Sequence, residues 1–246
     1  MPFTAAHPVL ILPLARSKQF SATALIAGSM VPDFEFFFQM RAVENIGHHW
    51  YGIVLFDIPA ALLLCYLFHN LLRNLLIVHL PSALQQRFTY ARAFNWNTYV
   101  TKNKAKVFIS LLTGIASHLA WDGFTHADGV FVEMLPALTL TTGWSFLNIP
   151  VYFLLQLLFS VMGMGIMMYA VYALPKTETE TVYINSKYYW PLMICTISII
   201  LIIRIIVWPQ YNGFGGLAIA AMGSITYGWI LVSSFFNFYL LKNISI

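Results

Sequence analysis

Long apolar stretches separated by short polar linkers set the pattern of this chain. Four are unbroken: Tyr51 to Leu72, Ile149 to Leu174, Trp190 to Val207 and Gly216 to Leu241. A helix needs about 20 residues to cross the hydrocarbon core of a bilayer, so each predicts a membrane span. A fifth run, Val107 to Phe124, is of similar length but carries His118 and Asp122. A sixth, Phe20 to Met40, carries Asp33 and Glu35 and is interrupted by Pro32, which predicts a segment that either spans or re-enters. The expected fold is all-α: a polytopic membrane helical bundle of five to six spans, with short re-entrant or interfacial helices at the N-terminus. No internal repeat or second domain is visible. Residues 1–246 therefore read as one membrane domain, with the polar motifs in 1–137 and C-terminal transmembrane helices in 138–246.

Composition strengthens this picture. Only 9% of residues are charged and 59% are apolar, whereas a soluble domain carries about 25% charged residues. Lipid, not water, must face much of the surface. Cys65 and Cys195 each lie inside an apolar run with no paired spacing, and read as buried small apolar residues. In the opening MPFTAAHPVLILPLARSKQF the positive charges follow the apolar stretch, and Pro8 and Pro13 interrupt it, so it does not read as a signal peptide.

Charge then orients the bundle. Arg73, Arg87, Arg92, Lys102, Lys104 and Lys106 lie between Asn70 and Lys106 with no acid among them, the mark of a cytoplasmic linker. The loop from Thr125 to Asn148 holds Asp128 and Glu133 and no Lys or Arg, as an external loop should. Lys176, Lys187 and Lys242 fall inside on the same scheme, with Glu178 and Glu180 diluting the second inner loop. Gly47 to Trp50 then lies outside. If Phe20 to Met40 crosses, Arg16 and Lys18 are inside. The modest net charge of +4 fits orientation better than nucleic-acid binding, and no nucleic-acid-binding pattern occurs.

The polar residues that remain gather toward the outer side. SHLAWDGFTH places His118, Asp122 and His126 at i, i+4 and i+8, on one helix face. The outer two would be about 12 Å apart along a regular helix, too far to share one ion. Either the helix ends near Gly123 and His126 folds back, or two ions are bridged by Asp122. Ionisable residues within spans are costly and mark function more often than plain structural polarity. In GSMVPDFEFF, Asp33 is a candidate oxygen ligand and Glu35 a candidate acid–base group, facing away from Asp33 if the segment is helical. GHHW supplies His48 and His49, whose side chains diverge, so one of the two is expected in a common site. Asp57, on nearly the same helix face as His49, is placed to orient a ligating histidine. His7 stands alone in its segment, and a lone histidine is more often a hydrogen-bonded structural residue. Arg204, near a span end, is expected to snorkel outward. His69 and His79 lie near the basic linker, on the other side of the membrane. No GxSxG, Walker, HExxH or Rossmann motif is present.

Taken together, MPFTAAHPVLILPL, LIAGSMVPDFEFF and SHLAWDGFTH resemble the bacterial membrane family called domain of unknown function 4184, over roughly Met1 to Ala137. That pattern is similar in turn to inner-membrane-associated metal-dependent hydrolases. The resemblance matches His7 to the family's early histidine, Asp33 to the acid of its PD motif, His118 and Asp122 to its His-x-x-x-Asp pair, and His126 to the histidine of its TH ending. The middle motif departs: those hydrolases carry an HRxxTHS-like segment where this chain has GHHWYG. The departure touches the hydrolytic machinery more than the metal ligands.

The expected metal set is thus His7, Asp33, His48 or His49, His118, Asp122 and His126, with Glu35 and Asp122 as catalytic carboxylates. A mixed His/Asp set suits zinc first, and manganese or iron also. The resemblance implies a hydrolase in the bacterial cytoplasmic membrane. The boundary position points to a lipid or lipid-linked substrate, a phosphoester among the options, with membrane lipids as the expected partners. Two other classes compete. One is a non-enzymatic subunit whose polar cluster is structural; the other is an ion pathway, which the absence of repeats and of midplane polar residues disfavours.

Overall fold

The computed structural model describes residues 3–43, 46–144, 148–177 and 187–244, with side chains to residue 238. Glu178, Glu180 and the side chain of Lys242, used above to orient the loops, lie outside that range. The fold is an all-α polytopic helical bundle. Among the described residues, five helices are long and apolar enough to cross a membrane: Ile53–His79, Lys104–Thr125, Val151–Tyr172, Tyr189–Val207 and Phe214–Phe238. They coincide with the five runs expected from sequence. The first extends past Leu72 to His79, and it winds more loosely at Ile53–Asp57 and Phe68–Leu72. Such wide turns recur at functional positions, and Asp57 sits in the first of them.

Phe20 to Met40 does not form a sixth span. It breaks into Ala22–Gly28, a single turn at Val31–Asp33, and Phe34–Gln39. Pro32 disfavours a helical conformation at Val31 and supplies no N–H, which ends the helix where Ser29 and Met30 turn.

The chain divides into two compact units, each built from interleaved segments. The first comprises Met1–Asp33, Ile46–Leu62 and Asn103–Leu174. Within it the short apolar helix Thr4–Ala15 and Ala22–Gly28 form a hairpin packed on Lys104–Thr125. His7 begins the hairpin beside Asp122, its tip lies where Lys106 Nζ donates to the Lys18 carbonyl (2.9 Å), and Ser29 ends it beside His118. From Lys106 to His118 is about 18 Å at 1.5 Å per residue, so the hairpin runs along more than half of that helix.

Two glycines permit this packing. A Cβ at Gly28 would stand 2.4 Å from the Leu111 carbonyl oxygen, and one at Gly114 would stand 2.4 Å from that of Leu25. Small residues at a crossing let helix backbones approach closely, as van der Waals packing in a bilayer requires. Leu25, Leu111 and Ile115 are fully buried around the crossing. Ser21 caps Ala22–Gly28 by accepting from Ala24 N–H, and its own N–H donates to Ser110 Oγ. On the other flank, Gly163 admits Ala6 against Val151–Tyr172, and Phe3 N–H donates to Ser160 Oγ.

The second unit comprises Phe34–Asn45, Leu63–Lys102 and Pro175–Ile246. Leu75, Tyr189, Met193 and Val232 form its buried centre, flanked by Trp190, Ile197, Trp229 and Phe236. Arg204 does not snorkel. It is buried, and its guanidinium donates to the carbonyls of Met40, Tyr211 and Gly216 and to Asn212 Oδ1. These acceptors replace the water a snorkelling head would have sought. His69 Nδ1 accepts from the Arg73 guanidinium and its ring stacks on Trp96, while His79 stacks on Tyr189. Cys65 is buried as expected, but Cys195 is exposed on an apolar helix surface, where lipid rather than protein accounts for its apolar setting.

Candidate metal centre

Six of the residues singled out by sequence converge in the first unit. Asp33, His48, His118 and Asp122 each offer one ligand atom, and those atoms lie within 4.8 Å of one another. His7 and His126 adjoin them through Asp122.

Each arrives by a local cause. His118 and Asp122 are one helical turn apart on Lys104–Thr125, so both face the hairpin. Asp33 closes the turn after Pro32 and is fully buried. His48 follows Gly47, where an added Cβ would stand 3.1 Å from both the Pro32 carbonyl and Asp57 Oδ1. A glycine there lets the GHHW segment pass close to the Asp33 turn. Asp57, fully buried, thus lies against the residue preceding His48. His7 comes in on the Thr4–Ala15 helix, and its ring stacks on His118 at 4.0 Å. The Lys104–Thr125 helix ends two residues beyond Gly123. His126 then adopts an extended backbone (φ −115°, ψ 149°), and its ring returns to Asp122, with Nδ1 3.0 Å from the carbonyl oxygen and 3.7 Å from Oδ1.

Orientation of the ligands is fixed from behind. His118 Nδ1 lies 2.9 Å from the Ser29 carbonyl. A carbonyl only accepts, so Nδ1 carries the proton, and in the neutral ring Nε2 presents a lone pair. Thr4 Oγ1 donates to Asp33 Oδ2, which leaves Oδ1 toward the cluster. Ligating histidines and carboxylates depend on such partners. Neither Thr4 nor Ser29 was singled out from sequence. Both are small hydroxyl residues in apolar segments, and the one available hint was their adjacency to His7 and to the Gly28 crossing.

The spacings are those of donors that could share one ion. His118 Nε2 is 3.2 Å from Asp122 Oδ2 and 3.5 Å from Asp33 Oδ1; His48 Nε2 is 3.5 Å and 3.7 Å from the same two oxygens. Donors bonded to a tetrahedral ion at 2.0–2.1 Å are roughly 3.3–3.4 Å apart, whereas N–H···O bonds centre near 2.9–3.0 Å. His118 Nε2, Asp33 Oδ1 and both Asp122 oxygens are buried without a hydrogen-bond partner. Among the described residues, the groups within ion-pair distance of the two carboxylates are histidines. Two buried carboxylates with no Lys or Arg counter-charge are costly, and a divalent cation would balance them.

Burial holds the His7 imidazole down at about 4, against the pull of Asp122 and Asp33. His7 is therefore neutral at physiological pH and has a lone pair to offer. Burial likewise lowers His126. His48 and His126 are about a quarter exposed, while His7, Asp33 and His118 are shut away. The cluster therefore opens on the His48–His126 side.

Two sequence candidates are not brought into the group. His49 is exposed and stacks on Tyr51, because adjacent side chains in this turn diverge. Glu35 belongs to the second unit. It lies one turn into Phe34–Gln39, where its carboxylate accepts from Gln39 Nε2 (3.3 Å). What the geometry establishes is a membrane-type helical protein with an Asp/His group that could hold a metal ion.

No curated protein and no solved structure matches the chain. The family pattern, read above over the first 137 residues, continues through the C-terminal helices. The family model described as Domain of unknown function (DUF4184) matches residues 1–239, and the chain belongs to that family.

Proposed function

We propose that this protein is a membrane-embedded, metal-dependent hydrolase acting on a lipid or lipid-linked ester, with phosphoesters the first class to test. The observation that carries the reading is His118. Its Nδ1 is committed to Ser29, and its Nε2 faces two buried carboxylates at coordination spacing. Asp33, His48, His118 and Asp122 would hold the ion, zinc being the first candidate for this donor set, with manganese or iron also accommodated. A divalent ion there supplies Lewis acidity toward an ester oxygen and brings a water's ionisation near neutral pH. Thr4 and Ser29 keep the ligands aimed, and the partly exposed His48 edge admits substrate and water.

The lipid substrate is supported by position. Trp50, beside the cluster, is 82% exposed, and Tyr51 follows it; exposed Trp and Tyr concentrate where bilayer meets water. The basic linker lies at the opposite end of Lys104–Thr125, which supports a cytoplasmic membrane with the cluster toward the external face.

A second reading has its own observation. Four protein donors fill a tetrahedral shell, as structural zinc sites do, and that fits a non-enzymatic subunit. Metal analysis of detergent-purified protein tests both. Wild type is expected to carry metal, and His118→Ala and Asp122→Ala to lose it; a metal-free native protein ends the metal reading altogether. Metal-dependent release of headgroup from phospholipid micelles separates the enzyme from the subunit.

A further inference from the structure

Asp122 has two oxygens, and the four-residue group uses one. Oδ2 faces His48 and His118, while Oδ1 faces the other way, 3.6 Å from His7 Nε2 and 3.7 Å from His126 Nδ1. These separations again exceed hydrogen bonds and match donors sharing an ion. His7 is the sharper observation: it is fully buried, and neither ring nitrogen has a hydrogen-bond partner. Leaving a buried polar atom unsatisfied costs about 1–3 kcal/mol, and an apolar residue would pack against His118 and Trp121 without that cost. A ligand role accounts for an imidazole there.

We infer that the cluster binds a second divalent cation between His7 Nε2 and Asp122 Oδ1, with His126 at its rim and the Asp122 carboxylate bridging the two ions. Binding would exchange the His126 Nδ1–H contact with the Asp122 carbonyl for a bond to the ion, the ring passing to the tautomer that carries its proton on Nε2. This rests on the metal-centre reading above and deepens it. The first position has four protein donors and the second three, so the second has room for water and substrate, as catalytic sites do. Paired ions spanned by a carboxylate are the arrangement that clamps the attacking and leaving oxygens of a displacement. The cluster then is a catalytic centre, not a structural staple.

The test uses full-length protein in detergent, stripped with chelator and titrated with Mn²⁺. Bound ions are counted after desalting, and spin coupling is read by low-temperature EPR. Wild type is expected to hold two equivalents with an exchange-coupled signal. His7→Ala is expected to hold one, uncoupled. His126→Ala is expected to bind the second ion roughly 10–100-fold more weakly. One equivalent in wild type, two uncoupled ions, or two coupled ions persisting in His7→Ala each overturns the inference while the single-ion centre stands; no bound ion at all removes the centre itself. Should His7→Ala fail to fold, His7→Gln and the wild-type EPR signal decide the question.

Discussion

Thr4 shows how much of the centre depends on side chains behind it. It is buried, and its hydroxyl holds Asp33 Oδ2. Thr4→Val keeps the shape and removes the donor, leaving a buried carboxylate oxygen unsatisfied and free to rotate. Outer-shell losses of this kind cost about 10–100-fold in metal affinity. We expect that loss for Thr4→Val in a competition titration against a chelating dye, with no change in elution on size exclusion. The adjacent histidines give the complementary experiment: His48→Ala should empty the first position, and His49→Ala should retain wild-type metal content. Sequence could not separate the two, because neighbouring side chains in an irregular segment diverge and the turn set by Gly47 and Gly52 decides which faces inward. His118 and Asp122 were legible through their helical spacing, and Asp33 through its burial cost after Pro32. His126 looked too distant on a regular helix. The extended residue at the helix end removes that obstacle: the helix stops close to Gly123 and His126 folds back, one of the two alternatives its spacing had left open.

At the scale of elements, the crossing of Ala22–Gly28 over Lys104–Thr125 sets the position of Ser29 against His118, one turn beyond Gly114. A methyl at Gly114 would meet backbone on three sides: Leu25 O at 2.4 Å, Ser29 N at 2.7 Å and Gly28 C at 2.9 Å. Backbone atoms cannot rotate away as a side-chain tip can, so the two helices must part. Gly114→Ala is expected to lower stability by about 1–3 kcal/mol and to reduce metal content as the Ser29 carbonyl withdraws. Gly165→Ala is the control. Open space surrounds that position, and the gain in helix propensity makes it neutral to stabilising by up to ~1 kcal/mol. Thermal unfolding in detergent should show the opposite signs. The five spans were readable because length and hydropathy alone mark them. The N-terminal arms were legible only as short re-entrant or interfacial helices: each is too short for a spanning signal, and their packing on Lys104–Thr125 rests on contacts distant in sequence.

For the whole molecule, the hairpin alters the count of crossings without altering the charge logic. Its tip carries Arg16 and Lys18, and Lys18 is held by Lys106, whose neighbours Lys102 and Lys104 begin the basic end of Lys104–Thr125. That helix is about 33 Å long at 1.5 Å per residue, enough to cross, and its far end bears Asp122 and leads to the acidic loop with Glu133. An N-terminal segment that started outside and lay flat would leave Arg16 and Lys18 outside, against the tendency of basic residues to remain cytoplasmic. We propose that the hairpin is re-entrant, which would keep His7 and Asp33 near the outer face while the basic tip reaches the inner one. Single cysteines at three exposed positions test this, in a background where exposed Cys195 is replaced by serine. Glu133→Cys should react with a membrane-impermeant maleimide added to intact cells. Lys104→Cys and Lys18→Cys should both react only after permeabilisation. Labelling of Lys18→Cys from outside, with Lys104→Cys still protected, would mean that the hairpin tip does not reach the inner face.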